Sequence, residues 1–525
     1  MSEGGSTEVA EAATKGNRKE ARGFIRGSSL FLVGRLISVV ANFLVGVLAV
    51  RYLAKADYGA LAWAQAMAAF GSQAVLLGLN RGVARFTAIH HEKKEYGPMF
   101  GTVILSLGAV TALGTLVALV TLGVRNAIYN HVDSDLSVGL LLILIVMVPL
   151  DALDAMFETL MAVFAKVRAI FFRRYVLGPG LKLVAVLVVM AIRGDAYMLA
   201  WSYVVGGAIG IWLYVMMLWK VLKRDDLLKH LHPRTLELPV RTLFAYSLPV
   251  MSTDIMLQLE STVVIFLLQR FQGDEHVADL KAALQVSTLC LLVFQNSKIL
   301  FKPIASRLYA RGDDEGLGDL YWRSAAWISI ITYPVFAACL VLADPIVVTL
   351  FKSQYASAAV LLQILAVGKY INSAMGMNTF TLQVHARVWL IVAINVATAV
   401  LGLGLCAWLI PTYGALGAAI AGSAAVIIRN VLNQIGLVMT TRAGIAPRPA
   451  KVLYATVFLA SAGLLLLRFA TDSLFVLVPA VMAASLILPW FNRRYLDIAN
   501  TYPELRKLPV MGRFFGKRKL GPETT

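Results

Sequence analysis

Apolar runs of roughly 17 to 25 residues recur from Ser28 to Phe491, and the short segments between them collect Lys and Arg on alternate turns. A hydrocarbon core about 30 Å thick is crossed by runs of this length only as helices. In lipid every backbone N–H and C=O must find its partner inside the protein, and barrel strands are about half as long. The expected fold is all-α and polytopic. With 59% hydrophobic residues, 15% charged residues and a mean hydropathy of +0.73, the chain has too little polar surface to cover a soluble core.

The runs place spans at about 28–50, 58–79, 99–123, 138–161, 175–192, 197–219, 244–269, 279–300, 324–343, 358–382, 388–410, 415–440, 451–470 and 475–491, about fourteen transmembrane helices in all. Of the 48 Lys and Arg, 35 fall in the two tails and in the segments after even-numbered spans, against about six after odd-numbered ones. The positive-inside rule then expects a multi-pass protein of the cytoplasmic membrane with both termini in the cytoplasm. The most basic internal segment, 220–243, carries Pro233 and Pro239 and reads as a cytoplasmic linker between two six-helix bundles, 28–219 and 244–440. Both bundles open on a span interrupted by polar residues, Arg35, Ser38 and Asn42 in one and Asp254, Gln258 and Ser261 in the other. Such repeats in transporters put the substrate site around a central cavity where the halves meet. Residues 451–491 form an added helical hairpin, 1–27 a cytoplasmic disordered tail and 492–525 a basic cytoplasmic tail.

The formal charge of +18 lies in tails and loops beside the spans, where membrane lipids and topology account for it; no nucleic-acid partner is expected. Cys290, Cys339 and Cys406 all fall in apolar runs and imply neither a disulfide framework nor a metal site. His90-His91-Glu92 lacks partner spacing for a metal, and Asp313-Asp314-Glu315 reads as a helix-connecting turn. No catalytic motif, metal or cofactor is expected.

The informative polar residues are cations at membrane depth. Arg35, Lys182, Lys369 and Arg429 sit well inside spans, Lys182 just after Gly178-Pro179-Gly180, which should loosen its helix. Lys298, near one end of span 8, is counted with them. Asn42 lies two turns after Arg35, and Asn433 one turn after Arg429 on the same face. Burying such charges costs several kcal/mol each unless they are solvated or paired. A shared cationic lumen for phosphate groups explains them together; the competing explanation is pairing with the acids of spans 4 and 7 to fix packing. Those acids, Asp151, Asp154 and Glu158 on one face and Glu260 in span 7, suggest a second role, with Asp151, Asp154 and Glu260 as candidates for ion coupling.

Several stretches carry a resemblance. Leu53-Ala54-Lys55-Ala56-Asp57-Tyr58-Gly59, Leu77-Gly78-Leu79-Asn80-Arg81-Gly82-Val83-Ala84-Arg85-Phe86 and Tyr246-Ser247-Leu248-Pro249 are followed by Lys302-Pro303-Ile304-Ala305-Ser306-Arg307 and by Leu409-Ile410-Pro411-Thr412-Tyr413-Gly414-Ala415-Leu416-Gly417-Ala418. In that order they resemble the polysaccharide-biosynthesis flippases of O-antigen and exopolysaccharide type, in the multidrug/oligosaccharidyl-lipid/polysaccharide exporter superfamily. The resemblance implies a twelve-helix core in two bundles, often with two added helices. It also implies transport of a polyprenyl-pyrophosphate-linked oligosaccharide from the cytoplasmic to the outer leaflet by alternating access, for cell-surface polysaccharide assembly. Membrane lipids and other polysaccharide-assembly proteins are the further partners it implies. Many members carry an acid midway along span 7; Val264 stands there in this chain, with Glu260 one turn earlier.

Two alternatives remain at this level. One is a cation-coupled drug or metabolite exporter of the same fold, whose cavity would need an excess of acids. The other is a membrane enzyme such as a polymerase or acyltransferase, which would need long outer loops or a surface cluster of catalytic side chains.

Overall fold

The computed structural model describes residues 34–132, 134–164, 171–224, 226–230, 236–493 and 495–496. The expected amino-terminal tail, the carboxy-terminal tail apart from residues 492–493 and 495–496, and residues 225 and 231–235 of the expected linker lie outside the described residues. Eleven of the described helices are long and apolar enough to cross a membrane, or twelve if the bent pair Asp135–Leu144 and Met147–Val163 is one span. The helix Val388–Thr440 is 53 residues long with a non-helical Gly414 (φ 57°, ψ −132°) inside it. At 1.5 Å per residue a straight helix of that length would be about 80 Å long, far beyond a bilayer. Residues eight apart on a straight helix are also about 12 Å apart, yet a Cβ on Gly417 would overlap the Leu409 carbonyl. The chain therefore turns back after Pro411, and this helix is two crossings. With that division the described helices supply thirteen apolar crossings against about fourteen expected, and the 33-residue Val240–Gln272, interrupted by Arg241, Asp254, Glu260 and Arg270, is long enough for another but not apolar enough to count by composition.

The chain forms two compact units, Met1–Lys281 and Ala282–Thr525. The first contains α1 (Gly34–Tyr52), α2 (Lys55–Leu76), α3 (Leu79–Glu92), α4 (Tyr96–Gly123), α5 (Arg125–His131), α6 (Asp135–Leu144), α7 (Met147–Val163), α8 (Gly178–Ala191), α9 (Ala196–Arg224) and α10 (Val240–Gln272), and the start of α11 (Asp274–Ser287). Its centre is α2, whose small residues Gly59, Ala60, Ala62, Ala64, Ala66 and Ala68 are all buried. Small side chains let helices in lipid approach closely, and a Cβ on Gly59 would overlap the Asp274 carbonyl. At the same end Lys55 Nζ meets the buried Asp279 carboxylate at 2.9 Å, and Ser134 and Ser137 hydroxyls donate to Asp274 at 2.5 and 2.8 Å. At the other end of α2 two successive left-handed residues, Leu77 (φ 47°) and Gly78 (φ 67°), separate it from α3. Gly78 is needed there twice over, since a Cβ would stand 2.5 Å from the Ser247 carbonyl oxygen of α10. Much of the segment expected as a loop after span 2 is thus helical, with Leu79 and Val83 buried and Arg81 and Arg85 exposed.

The second unit contains α12 (Leu292–Ala310), α13 (Asp314–Val341), α14 (Ala343–Phe351), α15 (Ala358–Met375), α16 (Met377–Val384), α17 (Val388–Thr440), α18 (Arg448–Ala470) and α19 (Leu474–Phe491). Its axis is α13, capped by the Asp313 carboxylate, which accepts from the Gly316 N–H at 2.8 Å. Tyr321, Trp322 and Ile328 of α13 pack with Phe301, Met377 and Leu437 in the core. Tyr370 bonds Ser329 at 2.7 Å and stacks on Phe336 with ring centroids 4.1 Å apart. The hairpin α18–α19 packs on α13 but leaves Phe469 and Phe475 86% and 94% exposed, as expected for a pair whose outer faces meet lipid. Arg468, in the last turn of α18, meets Asp344 at 2.5 Å.

Candidate functional site: a charge-lined cavity in the first unit

Asp151, Asp154 and Glu158 recur on α7 at spacings of three and four, which puts them on one helix face. Facing them is a π-helical stretch, Phe171–Leu177, that leads into α8. The sequence explains the winding. Pro179 has no N–H for the Tyr175 carbonyl four residues earlier and its ring crowds that carbonyl, so the turns just upstream widen. This is the loosening that Gly178-Pro179-Gly180 leads one to expect, expressed as a change of winding.

The π stretch sets Arg173 and Arg174 against the acids of α7. Arg173 is ion-paired to Asp154, and Arg174 to Glu158. Arg173 is buried: its Nε donates to the Gly210 carbonyl of α9 at 3.4 Å and its guanidinium lies 5.0 Å from the centre of the Tyr214 ring. Gly210 makes room for it, because a Cβ there would overlap the guanidinium. Arg174 is about half exposed. A cavity of about 210 Å³ opens beside these pairs, with Asn42, Asp151, Asp154, Arg174, Lys182 and Tyr203 in its lining. Asp151 and Lys182 are both exposed.

The candidate residues therefore separate. Asn42, Lys182, Asp151 and Asp154 share this cavity, where the Asn42 amide donates to the Ser38 carbonyl and hydroxyl at 2.8 and 3.1 Å. Arg35 is half-buried two turns earlier on α1, and Glu260 is half-buried on α10; neither is among the residues lining the cavity. The side chain of Asp254 lies outside those described. Lys298, Lys369 and Arg429 belong to the second unit and are each half-buried, on α12, α15 and α17. Around Arg429 the amides are engaged between helices. Asn430 donates to Asn372 Oδ1 at 3.0 Å and accepts from Asn378 at its carbonyl at 2.9 Å, buried Asn433 donates to Thr379 at 3.2 Å, and Gln434 accepts from Tyr321 at 2.5 Å. Arg173 and Arg174 escape the sequence reading, which counts them with the cytoplasmic loop after span 4. The usable signal is the acid stripe of span 4, which needs counter-charges, and two adjacent arginines stand immediately before span 5.

Chemically, two carboxylates and three cations around one opening, Asp151 and Asp154 with Arg173, Arg174 and Lys182, make a polar wall, and Glu158 pairs with Arg174 from outside the lining. Such a wall has donors for phosphate oxygens and acceptors for hydroxyls.

Comparison with known proteins places this architecture. A family model described as polysaccharide biosynthesis protein matches residues 47–360. The probable low-salt glycan biosynthesis flippase Agl15 of Haloferax volcanii is 25% identical over 193 residues, 37% of this chain and 41% of that protein. The chain thus spans about two fifths of the length of that curated relative. Among solved structures, lipid II flippase MurJ in an inward closed conformation superposes with a TM-score of 0.66 at 13% identity, covering 91% of this chain and 100% of that one. An inward-facing multidrug resistance MATE family transporter of the MOP superfamily gives 0.65 at 16%, covering 78% and 97%. A MOP superfamily transporter from Pyrococcus furiosus, described as having a binding pocket of reverse polarity, gives 0.58 at 16%, covering 81% and 96%. At these identities the structural likenesses establish the fold, that of a multi-pass membrane transporter.

Proposed function

The chain belongs to the polysaccharide biosynthesis protein family, and from that premise we propose that it is a flippase. It moves a polyprenyl-pyrophosphate-linked oligosaccharide from the cytoplasmic to the outer leaflet of the cytoplasmic membrane, for cell-surface polysaccharide assembly. The work is non-covalent: the headgroup enters a polar cavity, the halves 28–219 and 244–440 alternate in access, and the lipid tail stays in the bilayer. Both termini face the cytoplasm in this reading, as the distribution of Lys and Arg requires.

The observation that carries the proposal, beside family membership, is the cavity lined by Lys182, Arg173 and Arg174 together with Asp151, Asp154, Asn42 and Tyr203. A pyrophosphate needs cationic donors, which Arg supplies as a planar fork and Lys as a point charge. A glycan needs uncharged and anionic hydrogen-bond partners, and the same wall supplies them. The names of the Haloferax relative and of MurJ, both flippases, support the same reading.

The test is headgroup translocation of a defined lipid-pyrophosphate oligosaccharide in proteoliposomes, wild type against a folded Lys182→Ala/Arg174→Ala variant. The expected result is transport by the wild type and a loss of roughly tenfold or more in the variant, the scale of a charge-assisted hydrogen bond. A wild type that moves none of several glycans under imposed ion gradients, or that moves organic cations instead, overturns the proposal.

A further inference from the structure

The three acids of α7 are not equivalent. Asp154 and Glu158 are ion-paired to Arg173 and Arg174, and Arg173 is itself fixed to α9 through the Gly210 carbonyl and the Tyr214 ring. In these pairs each carboxylate already has its counter-ion. Asp151, one turn earlier on the same face, is exposed to the cavity and makes no hydrogen bond or ion pair among the described residues; Lys182, exposed in the same lining, is its electrostatic neighbour.

An open carboxylate beside an open ammonium suits neither a bare anion nor a bare cation, since each finds one attractive and one repulsive group. A ligand that joins an anionic end to a hydroxyl-bearing end satisfies both. The cavity, of about 210 Å³, has room for a sugar ring beside Lys182 and Asp151. We propose that this cavity is a glycosyl-phosphate subsite, in which Lys182 holds a phosphate oxygen and Asp151 accepts hydrogen bonds from hydroxyls of the first sugar. Asp151 then determines specificity: it distinguishes a phosphate that carries a sugar from one that does not. The inference rests on the flippase reading and narrows it to one end of the headgroup.

The test measures binding of soluble probes to the full-length protein in nanodiscs: inorganic phosphate, and the 1-phosphates of glucose, galactose and N-acetylglucosamine. Wild type is expected to bind at least one sugar phosphate on the order of tenfold more tightly than inorganic phosphate, the scale of one hydrogen bond to a charged group. Asp151→Asn and Asp151→Ser should both erase most of that preference while leaving inorganic phosphate bound as well or better, because a repelling charge is gone. Lys182→Ala should weaken every probe, and Glu158→Gln, at a residue outside the cavity lining, should leave the preference in place. The subsite is refuted by a wild type with no preference for any sugar phosphate, by equal losses for all probes in both Asp151 variants, or by Asp151 variants that change only the dependence on sodium or pH. Failure of the transport reading is distinguishable, because a sugar-phosphate preference that depends on Asp151 would persist in a protein that flips nothing.

Discussion

Replacing Gly210 by alanine isolates the electrostatic logic of the first unit. An ideal Cβ at position 210 would stand 2.8 Å from Arg173 Cζ and 3.2 Å from its Nε. The guanidinium is the far end of a flexible side chain and can withdraw, but Asp154 then loses its counter-ion. Removing one partner of a buried pair costs about 3–5 kcal/mol. The Asp154 side chain is 33% exposed, so water recovers part of that and about 2–3 kcal/mol is the better figure. Alanine in a helix interior returns about 1 kcal/mol over glycine. The net expectation for Gly210→Ala is a destabilisation of about 1–2 kcal/mol. In an Asp154→Asn background no carboxylate is left uncompensated, and the same change should stabilise by about 1 kcal/mol. Equilibrium unfolding of both single variants and the double variant in mixed micelles gives the coupling energy directly. Additive effects, or a Gly210→Ala protein as stable as wild type, would refute the account of Arg173 as the counter-ion of Asp154.

Two further predictions concern the ends of α2. Lys55→Ala should destabilise by about 3 kcal/mol because the Asp279 side chain, 5% exposed, loses that partner; Lys55→Met with Asp279→Leu should recover most of it, measured by the same unfolding titration. Gly78→Ala combines a left-handed backbone with a close carbonyl, and about 1–3 kcal/mol should be lost; a thermal midpoint unchanged from wild type would contradict the stated need for glycine.

The spans were legible because the hydrocarbon core dictates their length. Even the division of the longest helix could be read, since Pro411 and Gly414 interrupt an apolar run too long for one crossing. Polar stripes were harder. Arg429, Asn430, Asn433 and Gln434 present the same helical spacing whether a face meets water or meets other amides, and the bonds from Asn430 to Asn372 and from Asn433 to Thr379 depend on partners more than 50 residues away. Arg173 and Arg174 were hidden for a different reason. Charges next to an apolar run look like interfacial loop residues, and only the wider winding before Pro179, together with the clearance at Gly210, turns them onto the acids of α7. Asn42, Asp151, Asp154 and Lys182 stand out in the sequence by polarity at membrane depth, but their shared cavity depends on the tertiary packing.

The length of α2 also fixes how the protein floats. Its 22 residues rise about 33 Å, close to a hydrocarbon thickness of about 30 Å. Once the apolar part is immersed, α3 is left at the level of the headgroups, its buried Leu79 and Val83 against the protein and Arg81 and Arg85 turned outward. Arg85, held over the Tyr246 ring at 4.8 Å, then lies in the plane where membrane phosphates lie, and so acts as a vertical stop. Raising or lowering the molecule by one helical turn would pull a guanidinium out of that plane, so the bilayer position of the whole first unit is set from a segment that reads, residue by residue, as a loop.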